Sequence, residues 1–164
     1  MSVSKQNDIL IPIVGKENLA IRLVDGTEII ATANDVFFFI DHDFAELVDP
    51  CEMFETKETS VSIFRIRKSA KYNQLFTSCT EKDLDAICLT QNQIKAFVED
   101  HKEQIEKDKL FFFLFRDKDN YFVATALIDA NGKANITSDP FGYKTIWAPL
   151  NHCRIVVRTP VNPN

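Results

Sequence analysis

A chain of 164 residues with 14 phenylalanines, four glycines and a net charge of −5 at pH 7 has the length of one domain, since domains commonly run to about 100–150 residues. At 45 % apolar and 26 % charged residues it has the balance of a globular chain, not of a disordered or membrane-embedded one. The glycines at 15, 26, 132 and 142 are all isolated, which excludes a G-x-G-x-x-G turn or a Walker loop and the nucleotide chemistry that depends on them.

The polar start and the short run 9–14, broken by Pro12, do not make a secretory signal. No apolar run approaches the roughly 18 residues of a membrane span. Four cysteines are too sparse for a disulfide scaffold and are expected reduced and mostly buried, as in a cytoplasmic protein. A hairpin is predicted over 19–31, turning at Asp25-Gly26, because Asp-Gly supplies the positive-φ positions of a two-residue turn. Residues 36–40 (Val-Phe-Phe-Phe-Ile) are apolar on both sides, a pattern of a buried strand or a short buried helix; we read it as strand. A β-branched strand follows at 59–67, and a short helix at 69–78 with Ser69 as its N-cap.

A longer helix is predicted over 91–107, where Thr90 and Gln93 form a capping box and Ile94, Phe97, Val98, His101 and Ile105 share one face. Its other face, with Lys95, Glu99, Lys102, Glu103 and Glu106, reads as solvated. The remainder reads as a meander: 110–115, a polar turn at 116–120, 121–128, a turn at Asn131-Gly132, 133–137, a loop holding Trp147, and a final strand at 154–158. The expected fold is therefore α+β: an antiparallel sheet with a C-terminal meander over 110–158, packed with helices at 69–78 and 91–107, plus the hairpin at 19–31. One domain spans 1–158, with a frayed tail at 159–164.

The chemical motifs are few. No C-x-x-C or H-x₃₋₅-H pair exists to hold zinc, and no G-x-S-x-G elbow to hold a nucleophile. The thiol–imidazole pair to examine is Cys79 or Cys88 with His152, against a reading of the cysteines as core packing. Asp41-His42-Asp43 with Glu46 is the densest group of hard ligands, but Ala45 and Glu46 stand where a calcium loop needs a ligand and a glycine. Asp117-Lys118-Asp119 fails likewise. Asp41, His42, Asp43 and His152 remain a candidate polar site, since a carboxylate beside an imidazole fixes its charge or tautomer. No catalytic residue, metal or cofactor is assigned.

Charge is the unusual feature. Residues 35–58 hold eight acids against Lys57, a net of −7, whereas 59–80 hold Arg65, Arg67, Lys68 and Lys71 and no acid. Side by side in sequence, the two blocks are able to neutralise each other or to form separate surfaces. Phe111, Phe113 and Phe115 lie on one face of 110–115 while Leu110, Phe112 and Leu114 lie on the other. If helices cover only one face, the other needs a subunit or a partner. The candidate interaction surface is thus Arg65, Arg67, Lys68 and Lys71 with Phe111, Phe113 and Phe115. These features favour a non-catalytic protein-binding or regulatory module acting through a protein partner or self-association, with no membrane partner. The alternatives are an enzyme with a non-standard Cys/His or Asp/His site, and a nucleic-acid accessory protein using 65–71; four bases on a chain of pI about 5.2 disfavour the latter.

Overall fold

The computed structural model describes residues 8–80, 83–149 and 152–159; the first seven residues and the tail expected to fray after Thr159 lie outside the described residues. The elements are β1 (Leu10–Pro12), β2 (Leu19–Ile21), β3 (Phe39–Ile40), β4 (Thr59–Ile66), α1 (Tyr72–Thr77), α2 (Gln91–Asp100), β5 (Leu110–Asp117), β6 (Asn120–Ile128), β7 (Ala134–Pro140) and β8 (Cys153–Arg158). They build one eight-stranded sheet in the order β1-β4-β8-β5-β6-β7-β3, with β2 also paired to β4. The α+β class stands, but the sheet is mixed, not antiparallel: β8 runs parallel to β5 and β3 parallel to β7. The meander is β5-β6-β7, and β8 lies outside it, between β4 and β5. All of Cys153 to Val157 is buried, and a strand apolar on both sides belongs in the middle of a sheet.

Both faces of β5 are covered by the chain itself. On one, Phe111, Phe113 and Phe115 pack with Ile94, Phe97 and Val98 of α2 and with Phe44; Phe97 meets Phe113 edge-on with centroids 5.5 Å apart. On the other, Phe112 and Leu114 pack with Tyr72, Leu75 and Phe76 of α1 and with Trp147. The Tyr72 and Phe112 rings are 5.2 Å apart, edge to face. Trp147 is held over this face by a backbone bridge to Ala70. Phe111, Phe113 and Phe115 are 1, 0 and 0 % exposed, so these three belong to the core and not to an interaction surface: α2 occupies the face that a partner would have taken.

The capping box at Thr90 and Gln93 forms, with Gln93 N–H donating to Thr90 Oγ1 (3.1 Å) and Thr90 N–H to Gln93 Oε1 (2.9 Å). The helix is shorter than expected. It ends at Asp100, where His101 leaves helical geometry, donates to the Ala20 carbonyl (2.6 Å) and packs at a tilt against the Phe97 ring. Glu99, Lys102, Glu103 and Glu106 are exposed as expected, but Lys95 is not, because the segment following β2 lies across it. Lys95, 3 % exposed, reaches Glu28 (2.8 Å) and Asp35 (3.1 Å). The Asn92 and Gln91 side chains accept the Gly26 and Ile30 amides. These polar contacts pin residues 25–35 to the helix. The pin replaces the expected 19–31 hairpin: β2 pairs with β4, Val24 bridges to Thr56, and Ile30–Thr32 forms a 3-10 turn. Residues 36–40 also depart from expectation. Only Phe39 and Ile40 pair, at the sheet edge, and Phe38 and Phe39 are exposed while Phe37 is buried.

Gly26 sits at φ +82°, and a Cβ there would lie 2.3 Å from the Phe54 carbonyl oxygen. Both the left-handed backbone and the close approach demand glycine. Gly26→Ala is therefore expected to destabilise the fold by about 2–3 kcal/mol, read as a lower denaturant midpoint at unchanged m-value.

Candidate functional site

The acidic stretch wraps one end of the sheet, the end at which β5 turns into β6. Several of its acids are held by the fold. Asp41 caps the 3-10 turn His42–Glu46, its Oδ1 accepting from Asp43 N–H (3.1 Å) and its Oδ2 from Ser138 N–H of β7 (3.3 Å). Asp49 caps Pro50–Glu52 and also accepts from the Lys118 amide (3.2 Å), while its own N–H donates to Asp117 Oδ1 (3.0 Å). That reciprocal pair ties the acidic stretch to the two-residue β5–β6 turn, in which Lys118 takes φ +53°. Glu52 lies 3.5 Å from Arg116, which forks onto Asp85 (3.0 and 3.1 Å) and reaches Asp119 (3.2 Å); the Tyr121 hydroxyl also donates to Asp85 (2.8 Å).

Two clefts open here. One, of about 320 Å³, is lined by Cys51, Glu52, Cys88, Arg116 and Arg158 among others. Its bases are engaged: Arg116 as above, and Arg158 donating to the Ala86 carbonyl. Burial pushes the Cys88 thiol up to about 12, so it stays protonated and is a poor nucleophile. The other cleft, of about 380 Å³, lies along β7 beyond the point where β3 leaves it, and Asp43, Glu46, Asp117, Lys118, Ser138 and Asp139 line it. Asp139 accepts from the Tyr72 hydroxyl (3.0 Å). Its carboxyl is raised above the usual range, first by burial and then by the charges of Asp41 and Asp43, against the lowering effect of the Tyr72 bond.

The histidines do not converge. His42 is exposed, 3.5 Å from Asp41 and 3.3 Å from Asp43; these three are the one group among the described residues whose metal-ligand atoms fall within 4.8 Å of one another. His152 precedes β8 at the opposite end of the sheet, where its carbonyl accepts the Leu110 amide. The candidate group of Asp41, His42, Asp43 and His152 is thus split, because register sets Cys153 beside Leu110 whereas Asp41 bonds to Ser138. Nor does a thiol–imidazole pair form among the described residues. Cys79 donates to the Leu75 carbonyl, and burial pushes its thiol up to about 12. All four cysteines are free.

The basic residues stand apart. Arg65 ends β4 in register with Arg154, Arg67 and Lys68 follow with their amides on the Ile9 carbonyl, and Lys71 precedes α1. All four are exposed, and none is ion-paired among the described residues. The two adjacent blocks therefore do not neutralise each other: β4 carries the chain from the acidic end to the other. Arg154 is buried 3.7 Å from Glu106, so neither it nor Arg158 adds to a basic surface. The block of acids over 35–58 was visible in the sequence; the buried Ser138 and Asp117 beside it carried no local signal, since both are set by register across β7 and β5.

The geometry is that of a mixed-sheet α+β domain with an acidic rim and a cleft beside it. No protein-family model, curated protein or solved structure matches the chain. Among the described residues no helix is long and apolar enough to cross a membrane.

A raised carboxyl pKa means that the fold holds charged Asp139 less well than the unfolded chain does. The penalty is present above the folded pKa and fades as the pH falls through it. Asp139→Asn keeps an acceptor for Tyr72 and removes the charge. It is expected to raise Tm at neutral pH, with the gain shrinking as the medium is acidified to about pH 4; melting curves across that range check it.

Proposed function

We propose that this protein is a non-catalytic protein-binding module that docks a cationic segment of a partner protein on its acidic rim. The observation that carries the reading is the separation of charge over the two ends of one sheet. The chain's own basic stretch leaves the rim unneutralised, with Glu46, Glu55 and Glu58 exposed and in no ion pair among the described residues. An exposed aromatic accompanies the acids: Phe54 is 50 % exposed and lines the cleft that also holds Glu52 and Arg116. Opposite charge with aromatic contact is what a basic, partly apolar segment would meet. Self-association loses its apolar motive, because both faces of β5 are covered within one chain. The dispersed histidines and the protonated Cys79 and Cys88 thiols favour binding over catalysis.

The test is fluorescence anisotropy with a labelled peptide of arginine, lysine and leucine, beside its glutamate counterpart and single-stranded DNA. Binding of the basic peptide alone is expected, weakening with salt. Combining Glu46→Lys, Glu55→Lys and Glu58→Lys should cost about tenfold or more in affinity at unchanged Tm, while Arg65→Glu with Arg67→Glu changes little. Equal binding by the reversed-charge variant, or preference for DNA lost on Arg65→Glu, overturns the reading.

A further inference from the structure

We propose that the cationic segment docked on the acidic rim is the basic end of a second copy of this chain, which rests on reading the rim as a docking surface for cations. Four bases stand at the far end of β4. Arg65, Arg67, Lys68 and Lys71 are exposed and in no ion pair among the described residues. Several acids of the rim are already engaged: Asp35 on Lys95, Asp41 and Asp49 on backbone amides, Asp43 beside His42 and Glu52 on Arg116. That leaves Glu46, Glu55 and Glu58, also exposed and unpaired among the described residues. The two sets nearly match in number, yet they do not meet within one molecule. The eight residues of β4 hold them about 25 Å apart, well beyond the screening length of about 8–10 Å at ordinary ionic strength. Contact between two molecules is what brings them together.

An exposed ion pair contributes little on its own, and a specific contact needs apolar surface among its charges. Both ends have it. Val48 and Phe54 are exposed among the acids. Beside the bases, the loop after β7 exposes Tyr143 and Ile146. That loop is tied to the basic stretch by the bridge between Ala70 and Trp147 and by Tyr143, whose ring lies 6.4 Å from that of Tyr72. Nothing is asked of β5, whose faces are already covered. The bases are also held in a fixed frame. Arg65 is in register with Arg154, the amides of Arg67 and Lys68 donate to the Ile9 carbonyl, and the Lys71 amide donates to Gln74 Oε1 (3.0 Å). A segment ordered in advance loses less conformational entropy on docking than a free peptide does. Setting either end against its own kind would oppose like charges, which costs affinity. The contact therefore joins the rim of one molecule to the bases of another.

Sedimentation velocity on the full chain tests this with two neutralised variants. One combines Glu46→Gln, Glu55→Gln and Glu58→Gln at the rim; the other combines Arg65→Gln, Arg67→Gln and Lys68→Gln at the basic end. In about 0.01 M salt the wild type is expected to sediment faster as its concentration rises, and to return to the monomer in about 1 M salt. Each variant alone should associate at least about tenfold more weakly, at unchanged Tm. Mixed in equal amounts, the two should form a one-to-one complex, since each keeps the end that the other has lost. A wild type that stays monomeric in low salt while the basic peptide binds overturns the inference and leaves the rim reading standing. Association that persists undiminished in either variant overturns it too. If the free peptide does not bind, the mixture decides: a complex between the two variants sustains docking of the ordered basic end, and its absence overturns both readings.

Discussion

The structure depends on a strand that touches water on neither side. β5 puts Phe111, Phe113 and Phe115 on one face and Phe112 and Leu114 on the other, and all five are buried. Each such side chain gains roughly 1.5–3 kcal/mol by leaving water, so neither face can be left bare. A single helix covers one side of a sheet; two coverings are needed here, and the chain supplies both. α2 and the turn bearing Phe44 close one face, while α1 and the crossing segment with Trp147 close the other. The mixed topology follows from the same demand. The connection from β7 to β8 crosses the second face, and β8 then enters beside β5 in parallel, a pairing that requires a long crossover.

How much of this was legible in the sequence varied with how local its cause is. The capping box at Thr90, the alternation along 110–115 and the Asn131-Gly132 turn are set by neighbours a few residues apart, and they stand as read. Asp25-Gly26 misled for an instructive reason. The glycine is required, but by the approach of the Phe54 backbone and the amide's bond to Asn92, not by a two-residue hairpin. Lys95 misled in the same way: a lysine on the outer stripe of a helix is ordinarily solvated, and only a distant segment bearing Glu28 and Asp35 makes it interior. The neighbours of β8 had no local signal at all, since alternation marks a strand but not the strand beside it.

The site shows the same division. The block of acids was plain in the sequence, and its separation from the bases was not, because β4 alone decides whether two adjacent blocks meet or face apart. Asp49 shows how such a block can also be structural. It caps its own turn and clasps the β5–β6 turn, so part of the negative charge is held in place by backbone amides, leaving the remainder free to act on what approaches.

The position of β8 governs the order of assembly. β4 and β5 each bond to β8 and not to each other, so before residues 153–158 arrive the chain is two partial sheets, each presenting an open edge of Val, Ile and Phe. Such edges invite pairing with the wrong strand, and long-range parallel pairing is slow. On a ribosome both halves would emerge and wait, unable to close on each other. The molecule is joined through its middle by a strand that is made late, so the hazard of misassembly is concentrated in the interval before that strand is delivered.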